Sequence, residues 1–306
     1  MTNLKEIKDI RLRKNITVKE LCEQLKNSGF QAQNLGEAIE IIKEMKKNKA
    51  KIYLSFTSNM AASGLRGIFI HLIKNRLIDV IITTSGSVDE DFIRAYKPYL
   101  QGSFDVDDSE LGKRGINRMG NIFVPNDRYV LLEEKIPKIL ENIYKVRKEL
   151  TPSELLYEVG KRIEEECMLS LAAKNNIPIF CPGITDGAFG MQLFFFQQKN
   201  KEFKVEVVKD FQKLIELTIA ADKTGGIILG GGIAKHHTII ANLMRDGFDY
   251  AVYVNSNSPY RGSLSSATTS EAKSWGKIRE NSKSVTIFGD AAILFPLMIG
   301  SIDEMF

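Results

Sequence analysis

The only tryptophan of the chain lies between a carboxylate and a lysine, in Glu271-Ala272-Lys273-Ser274-Trp275-Gly276-Lys277. On a helix Glu271 and Trp275 share a face, and a cation held between a carboxylate and an indole is a recognised way to bind an amine. A lysine beside an aromatic wall can also attack a carbonyl or imine. A surface Glu/Lys pair around a core tryptophan would give the same letters, so this segment does not decide the matter alone. A second group, Lys235-His236-His237, follows Gly230-Gly231-Gly232 and opens a predicted helix. No third ligand is spaced for zinc, which leaves His236 an acid/base or polar-contact role. The plain alternative is one ring satisfying a backbone group and the other facing solvent.

Small and hydroxyl residues follow several predicted strands at once. They are Thr57-Ser58-Asn59, Thr83-Thr84-Ser85-Gly86-Ser87, Gly230-Gly231-Gly232, Asn255-Ser256-Asn257 and Asp290-Ala291. One such cluster is an ordinary turn. Five at the same end of successive strands are what a phosphate-bearing cofactor needs to approach backbone N–H groups. The spacing G-x-G-x-x-G after a first strand is absent, which argues against an ordinary dinucleotide-binding dehydrogenase.

The elements that must position these groups alternate. Strands are predicted at 51–56, 79–84, 177–181, 226–229, 250–254 and 285–288, with amphipathic helices such as 65–75 and 207–221 between them, the pattern of an open parallel sheet covered by helices. Such sheets place ligands beyond the carboxyl ends of the strands. Residues 1–46 carry Leu21, Leu25, Ile39, Ile42 and Met45 at helical intervals, punctuated by Gly29 and Gly36. Residues 100–135 lack a period and read as a long loop region reaching towards a neighbouring subunit. Residues 133–176 read as mainly helical, with Thr151-Pro152-Ser153-Glu154 as a helix start.

Composition sets the outer limits. The chain has 306 residues, 43% of them hydrophobic, and a net charge of +4, enough for a sizeable core and too weak a field for nucleic-acid binding. Cys22, Cys167 and Cys181 are too scattered for a metal site or a disulfide framework and read as reduced thiols. No signal-like or membrane-spanning run is found, so a cytoplasmic protein without membrane attachment is expected.

At Glu271–Lys277 the sequence resembles the catalytic segment of deoxyhypusine synthases, whose E-A-x-S-W-G-K run supplies a lysine that takes an aminobutyl group. The resemblance extends from about Gly29 to Leu297, through Gly29-Phe30-Gln31-Ala32, Gly102-Ser103-Phe104-Asp105, Asn117-Arg118-Met119-Gly120-Asn121, Thr185-Asp186-Gly187 and Asp249-Tyr250-Ala251-Val252-Tyr253. It implies a Rossmann-like α/β domain over 47–306 with a helical N-terminal extension over 1–46. It implies NAD held by Thr57, Ser58, Asn59, Thr84, Ser85, Gly86, Glu90, Asp186, Gly231, Gly232, Asn255, Ser256, Asp290 and Ala291, and a homotetramer. It also implies a reaction in which NAD takes a hydride from spermidine and 1,3-diaminopropane leaves. Lys277 then holds the aminobutyl imine until a lysine of the translation factor 5A precursor receives it, the first step of hypusine biosynthesis. His236 would stand beside the reacting polyamine, Glu271 would accept an ammonium, and Trp275 would line the channel.

Three positions depart from that pattern. Met191 and Leu264 replace acids of the polyamine channel and Ile240 replaces an asparagine, which removes charge that would hold a terminal ammonium. Gln192 and Glu271 are the neighbours that could compensate. Two other readings follow: aminobutyl transfer to a free diamine, as in homospermidine synthases, or an inactive NAD-binding paralogue working in a hetero-oligomer.

Overall fold

The computed structural model describes residues 5–302. By contacts the chain divides into two compact units, one made of the residues up to Ser55, 77–79 and those from Ile215 onward, the other of 56–76 and 80–214.

In the first unit, four strands lie in the order Ile278–Phe288, Phe248–Asn255, Thr224–Leu229 and Lys51–Phe56. The Phe248–Asn255 strand runs parallel to both of its neighbours, with Val254 opposite Leu229 and Asn255 opposite Phe288. Its residues are almost all buried, as expected where helices cover both faces of a parallel sheet. Tyr53 and Phe248 meet edge to face at 5.7 Å in the core. Carboxylates pin the amino ends of these strands. Asp249 accepts from Thr224 N at 2.8 Å and from Arg245 and Arg279, and Asp79 accepts from Ile52 N at 2.7 Å. The opposite, carboxyl ends carry the small polar clusters and are left for chemistry.

The N-terminal part corrects one expectation. Helix begins only at Val18, because Thr17 forms a capping box with Glu20 and Asn15 sits at φ +61. Residues 5–17 are irregular, with Lys8 N donating to Asn27 O at 2.9 Å, and residues 1–4 lie outside the described residues. Gly36 is no punctuation mark either: it lies inside the helix Phe30–Lys47, where a Cβ would fall 2.5 Å from Lys26 Cα.

The second unit contains the strand Val80–Ile82 parallel to Ile179–Phe180. Its predicted long loop is ordered: Leu100–Gln101, Ile122–Pro125 and Ile116–Met119 form a small antiparallel sheet, and the helix Asp108–Lys113 is capped by Asp107. Strands of two to four residues are too short to show a period. Gly120, at φ +60, makes the turn.

Helix starts in this unit are set by buried acids on other elements. Asp91, fully buried, accepts from Met168 N at 3.0 Å and Leu169 N at 2.8 Å, the first amides of the helix Met168–Asn175, and from Arg66 Nε at 2.7 Å. Asp210 does the same for Ser153 N at 3.0 Å. Glu154, on the same helix as Ser153, is held at about 2: burial alone would raise it, but Lys213, the Thr151 amide and Arg147 outweigh burial.

Two outcomes are expected. Asp91→Ala leaves the Arg66 guanidinium and two helix amides unpaired, and should lower stability by about 3 kcal/mol in denaturant melts. Glu154 has its folded pKa below the ordinary 4.5, so its contribution is complete above about pH 5 and fades as pH falls towards 2. Glu154→Gln should therefore cost on the order of 2 kcal/mol at pH 7 and almost nothing near pH 2, read from melts across that range.

Candidate active site

In the first unit, the Thr224–Leu229 strand ends in Gly230-Gly231-Gly232, and the helix Gly232–Leu243 starts there. Gly230 and Gly232 have φ of +81 and +67, which a side chain would oppose. At Gly231 a Cβ would lie 2.5 Å from Ser265 Cβ, so the glycine admits the 263–268 segment rather than leaving open backbone. Gly232 N donates to Ser265 Oγ at 2.8 Å, so this helix amide is already satisfied within the protein. Asn255, at the end of the next strand, is also committed internally. Its Nδ2 donates to Ser265 O, and its Oδ1 accepts from Asn257 N at 2.8 Å. Ser256 is exposed. Asp290 caps the helix Ala291–Gly300 through Ala292 N at 2.8 Å.

The 263–268 segment leads into the helix Thr269–Ser274, whose start is capped by Thr268 Oγ1 accepting from Glu271 N at 3.1 Å. The helix stops at Trp275, Gly276 turns the chain at φ +66, and Lys277 enters the edge strand. Lys277 is thereby buried, 8% exposed, while Trp275 stays 65% exposed, and the ammonium stands 5.3 Å from the indole ring. Glu271 is exposed and makes no ion pair among the described residues. His236, one turn into its helix, is half-buried. Burial first, and then the charge of Lys277, press its pKa below the ordinary value, so the ring is neutral at pH 7. His237 is pushed down to about 4 by burial and by His236. Lys277, Trp275, Glu271 and His236 are thus gathered within one unit. Lys235, to which the sequence assigns no role of its own, and Ser265, which it does not single out, sit behind them.

In the second unit, Thr57 precedes the short helix Ser58–Ala62, with Thr57 Oγ1 donating to Asn59 Oδ1 at 2.5 Å. Thr84 precedes the helix Ser85–Tyr96 and its buried hydroxyl has no partner. At Gly86 a Cβ would approach Ser58 Cβ to 2.8 Å, so these two turns are in contact. Ser85 donates to Ile184 O at 3.0 Å. Glu90 is buried with one carboxylate oxygen unpartnered, and burial, with the neighbouring charge of Asp89, pushes it up to about 7. Asp186 is exposed and followed by Gly187, where a Cβ would strike Asp89 Oδ2 at 2.5 Å. Asp89 accepts from Ala188 N at 2.8 Å and Phe189 N at 2.7 Å, which fixes the turn that carries Asp186.

The three departures are spread over both units. Met191 is 52% exposed on the helix Ala188–Lys199, with Gln192 beside it buried. Leu264 lies half-buried in the turn Leu264–Ser266, and Ile240 one turn beyond His236.

With this geometry in hand, comparison with known proteins is decisive. The sequence model described as deoxyhypusine synthase matches residues 20–302. A protein of Picrophilus torridus named as a probable deoxyhypusine synthase is 44% identical over 97% of this chain and 96% of its own. One of Pyrococcus furiosus with the same name is 45% identical over 89% of this chain and 86% of its own. Among solved structures, a candidate deoxyhypusine synthase of Entamoeba histolytica superposes with a TM-score of 0.67 at 27% identity, covering 94% of this chain and 93% of that one. The chain belongs to the deoxyhypusine synthase family.

Proposed function

We propose that this protein is a deoxyhypusine synthase, a transferase that moves the aminobutyl group of spermidine to a lysine of the translation factor 5A precursor, with NAD as cofactor. The observation that carries the reading is Lys277, a buried lysine facing the one tryptophan, beside His236, whose pKa is pressed below the ordinary value by burial and by the Lys277 charge. A carrier lysine must form an imine, and an imine survives only where water is kept out. Burial of Lys277 meets that requirement, and Trp275 offers a π face to a cationic amine.

The residues present suit a dinucleotide. Glu90 holds an unpartnered buried oxygen of the kind that accepts ribose hydroxyls, and the Thr84 hydroxyl is free to bond. Thr57, Ser58, Asn59, Ser85, Gly86 and Asp186 are proposed as its further contacts, and so, from the family resemblance, are Gly231, Gly232, Ser256, Asp290 and Ala291. Asn255 would act indirectly, through Ser265. When bound, NAD supplies a place for the hydride removed from the amine and returns it at the end.

This chain's residues do the rest. His236, neutral, is the base that can take the proton released as the amine carbon is oxidised. The Lys277 amine attacks the carbon of the oxidised substrate, the C–N bond to 1,3-diaminopropane breaks, and Lys277 is left as the imine. The acceptor lysine amine then displaces Lys277. Glu271 and Trp275 hold the ammonium end of the amine. Met191 and Leu264 stand where the family pattern has acids and Ile240 where it has an asparagine, which favours a second reading in which a different amine or a free diamine is used. Assembly as a homotetramer is also proposed, supported by the exposed apolar side chains of Phe194, Phe195 and Val208.

The deciding experiment supplies NAD and labelled spermidine, with and without the factor 5A precursor, and traps imines with borohydride. Label on the precursor is expected, and Lys277→Ala should abolish both the trapped adduct and the transfer. Label only on an added diamine would favour the second reading. Leu264→Asp should lower the KM for spermidine by roughly tenfold, read from initial rates. Glu90 offers a pH test. Because ribose hydroxyls are best accepted by the carboxylate, binding releases its proton, so NAD affinity should rise as pH climbs through 7 and level off above it. Calorimetry at pH 6 and 8 reads this, and Glu90→Gln should flatten the profile.

A further inference from the structure

A second buried lysine stands behind the site. Lys235 is 1% exposed on the first turn of the helix Gly232–Leu243, and among the described residues its hydrogen-bond partners are carbonyls, with no carboxylate at ion-pair distance. Its ammonium donates to Ala267 O at 2.7 Å and Ser265 O at 3.2 Å and stands 4.5 Å from the Tyr253 ring. A buried charge met only by two carbonyls and a ring is a poor way to fill a core, where a methionine would pack without desolvation. Burial first presses Lys235 down to about 8; Glu271 acts to raise it and Lys277 to lower it further. What the arrangement achieves is geometric. The 263–268 segment is an irregular turn held by short-range bonds such as Ser266 N to Ser263 O, and its carbonyls at 265 and 267 are drawn onto the helix that carries His236. The same segment holds Gly232 N through Ser265 Oγ, receives Asn255 at Ser265 O, and runs directly into the helix Thr269–Ser274.

We propose that Lys235 is a positioning residue: its ammonium clamps the carbonyls of Ser265 and Ala267, and through them sets the helix that presents Glu271, Trp275 and Lys277 to the half-buried His236. Loosening the clamp leaves the core in place and lets the Trp275–Lys277 end move. The consequence for transfer rests on the role proposed above for Lys277, but the consequence for Trp275 does not. The chain has a single tryptophan, so its fluorescence reports this end of the site directly.

The test is Lys235→Met in the whole chain, without substrate, reading fluorescence anisotropy and acrylamide quenching of Trp275, and then borohydride trapping at Lys277 with kcat and KM for the amine. The melt is expected to stay cooperative, Trp275 to become more mobile and more easily quenched, and kcat to fall on the order of 10²-fold with KM nearly unchanged, as for a misplaced reacting group. Lys235→Gln, which keeps a donor without the charge, should be intermediate on every measure and takes over the comparison if the methionine variant does not fold. Unchanged Trp275 signals and an unchanged adduct would overturn the proposal. So would loss of fold in both variants, which would make Lys235 a core residue only. If the native protein forms no adduct while Trp275 still loosens in the variants, the positioning role stands and the proposed reaction fails.

Discussion

Charge taken out of water has to be met by groups that cannot move away, and in this chain that requirement fixes the backbone wherever the chemistry is gathered. Asp89 and Asp91 are consecutive odd positions of one helix, each fully or almost fully buried, and each spent on the first amides of a different helix. The helix starts they hold are otherwise unsatisfied donors. Through Asp89 the turn bearing Asp186 is set, and through Asp91 the Met168–Asn175 helix is locked to Arg66. In the first unit Lys235 plays the converse part, a buried cation met by carbonyls. Removing any of these leaves several backbone groups unpaired at once.

The division of labour along the strands follows from the same constraint. Asp249, Arg245 and Arg279 form an ion-paired network at the amino ends, where Arg245 also donates to Ala221 O and Asp222 O. At the carboxyl ends the residues are small, glycine or hydroxyl-bearing, and the buried atoms of Thr84 and Glu90 remain unpartnered. An orphaned buried oxygen costs stability, and sites of that kind are kept where a ligand completes them.

Much of this could be read from the letters. The Thr151–Glu154 helix start and the strand at Lys51–Phe56 follow from local rules of capping and alternation, whereas the segment around Lys277 is singled out by its family resemblance. The edge strand was half missed, since its first residues, Arg279-Glu280-Asn281-Ser282-Lys283, have the charged character by which edge strands avoid further pairing. The run Asp89-Glu90-Asp91 carries three carboxylates in a row and is nonetheless buried. It is buried because its partners, the amides at 168–169 and 188–189, lie roughly 80 to 100 residues away, and no local pattern reports them. Gly231 carries a further constraint of the same distant kind: a Cβ there would meet Ser265, 34 residues on, and nothing local to the triple glycine reports that neighbour.

That last point bears on how the site achieves its precision. A flexible glycine turn open to solvent would have to be ordered by the incoming ligand, at a cost in affinity. Here Ser265 Oγ already occupies the Gly232 amide and Asn255 already holds Ser265 O, so the turn, the strand end and the segment leading to Lys277 are joined before anything binds. The joint is made of backbone atoms and short side chains, which have little rotamer freedom to lose. Trp275 and Glu271 project exposed from a segment anchored in this way, while Lys277, two residues beyond Trp275, is buried. The exposed and the buried side chains of this segment are thus separated by a single glycine turn at Gly276, and the left-handed φ there is what makes so abrupt a change possible.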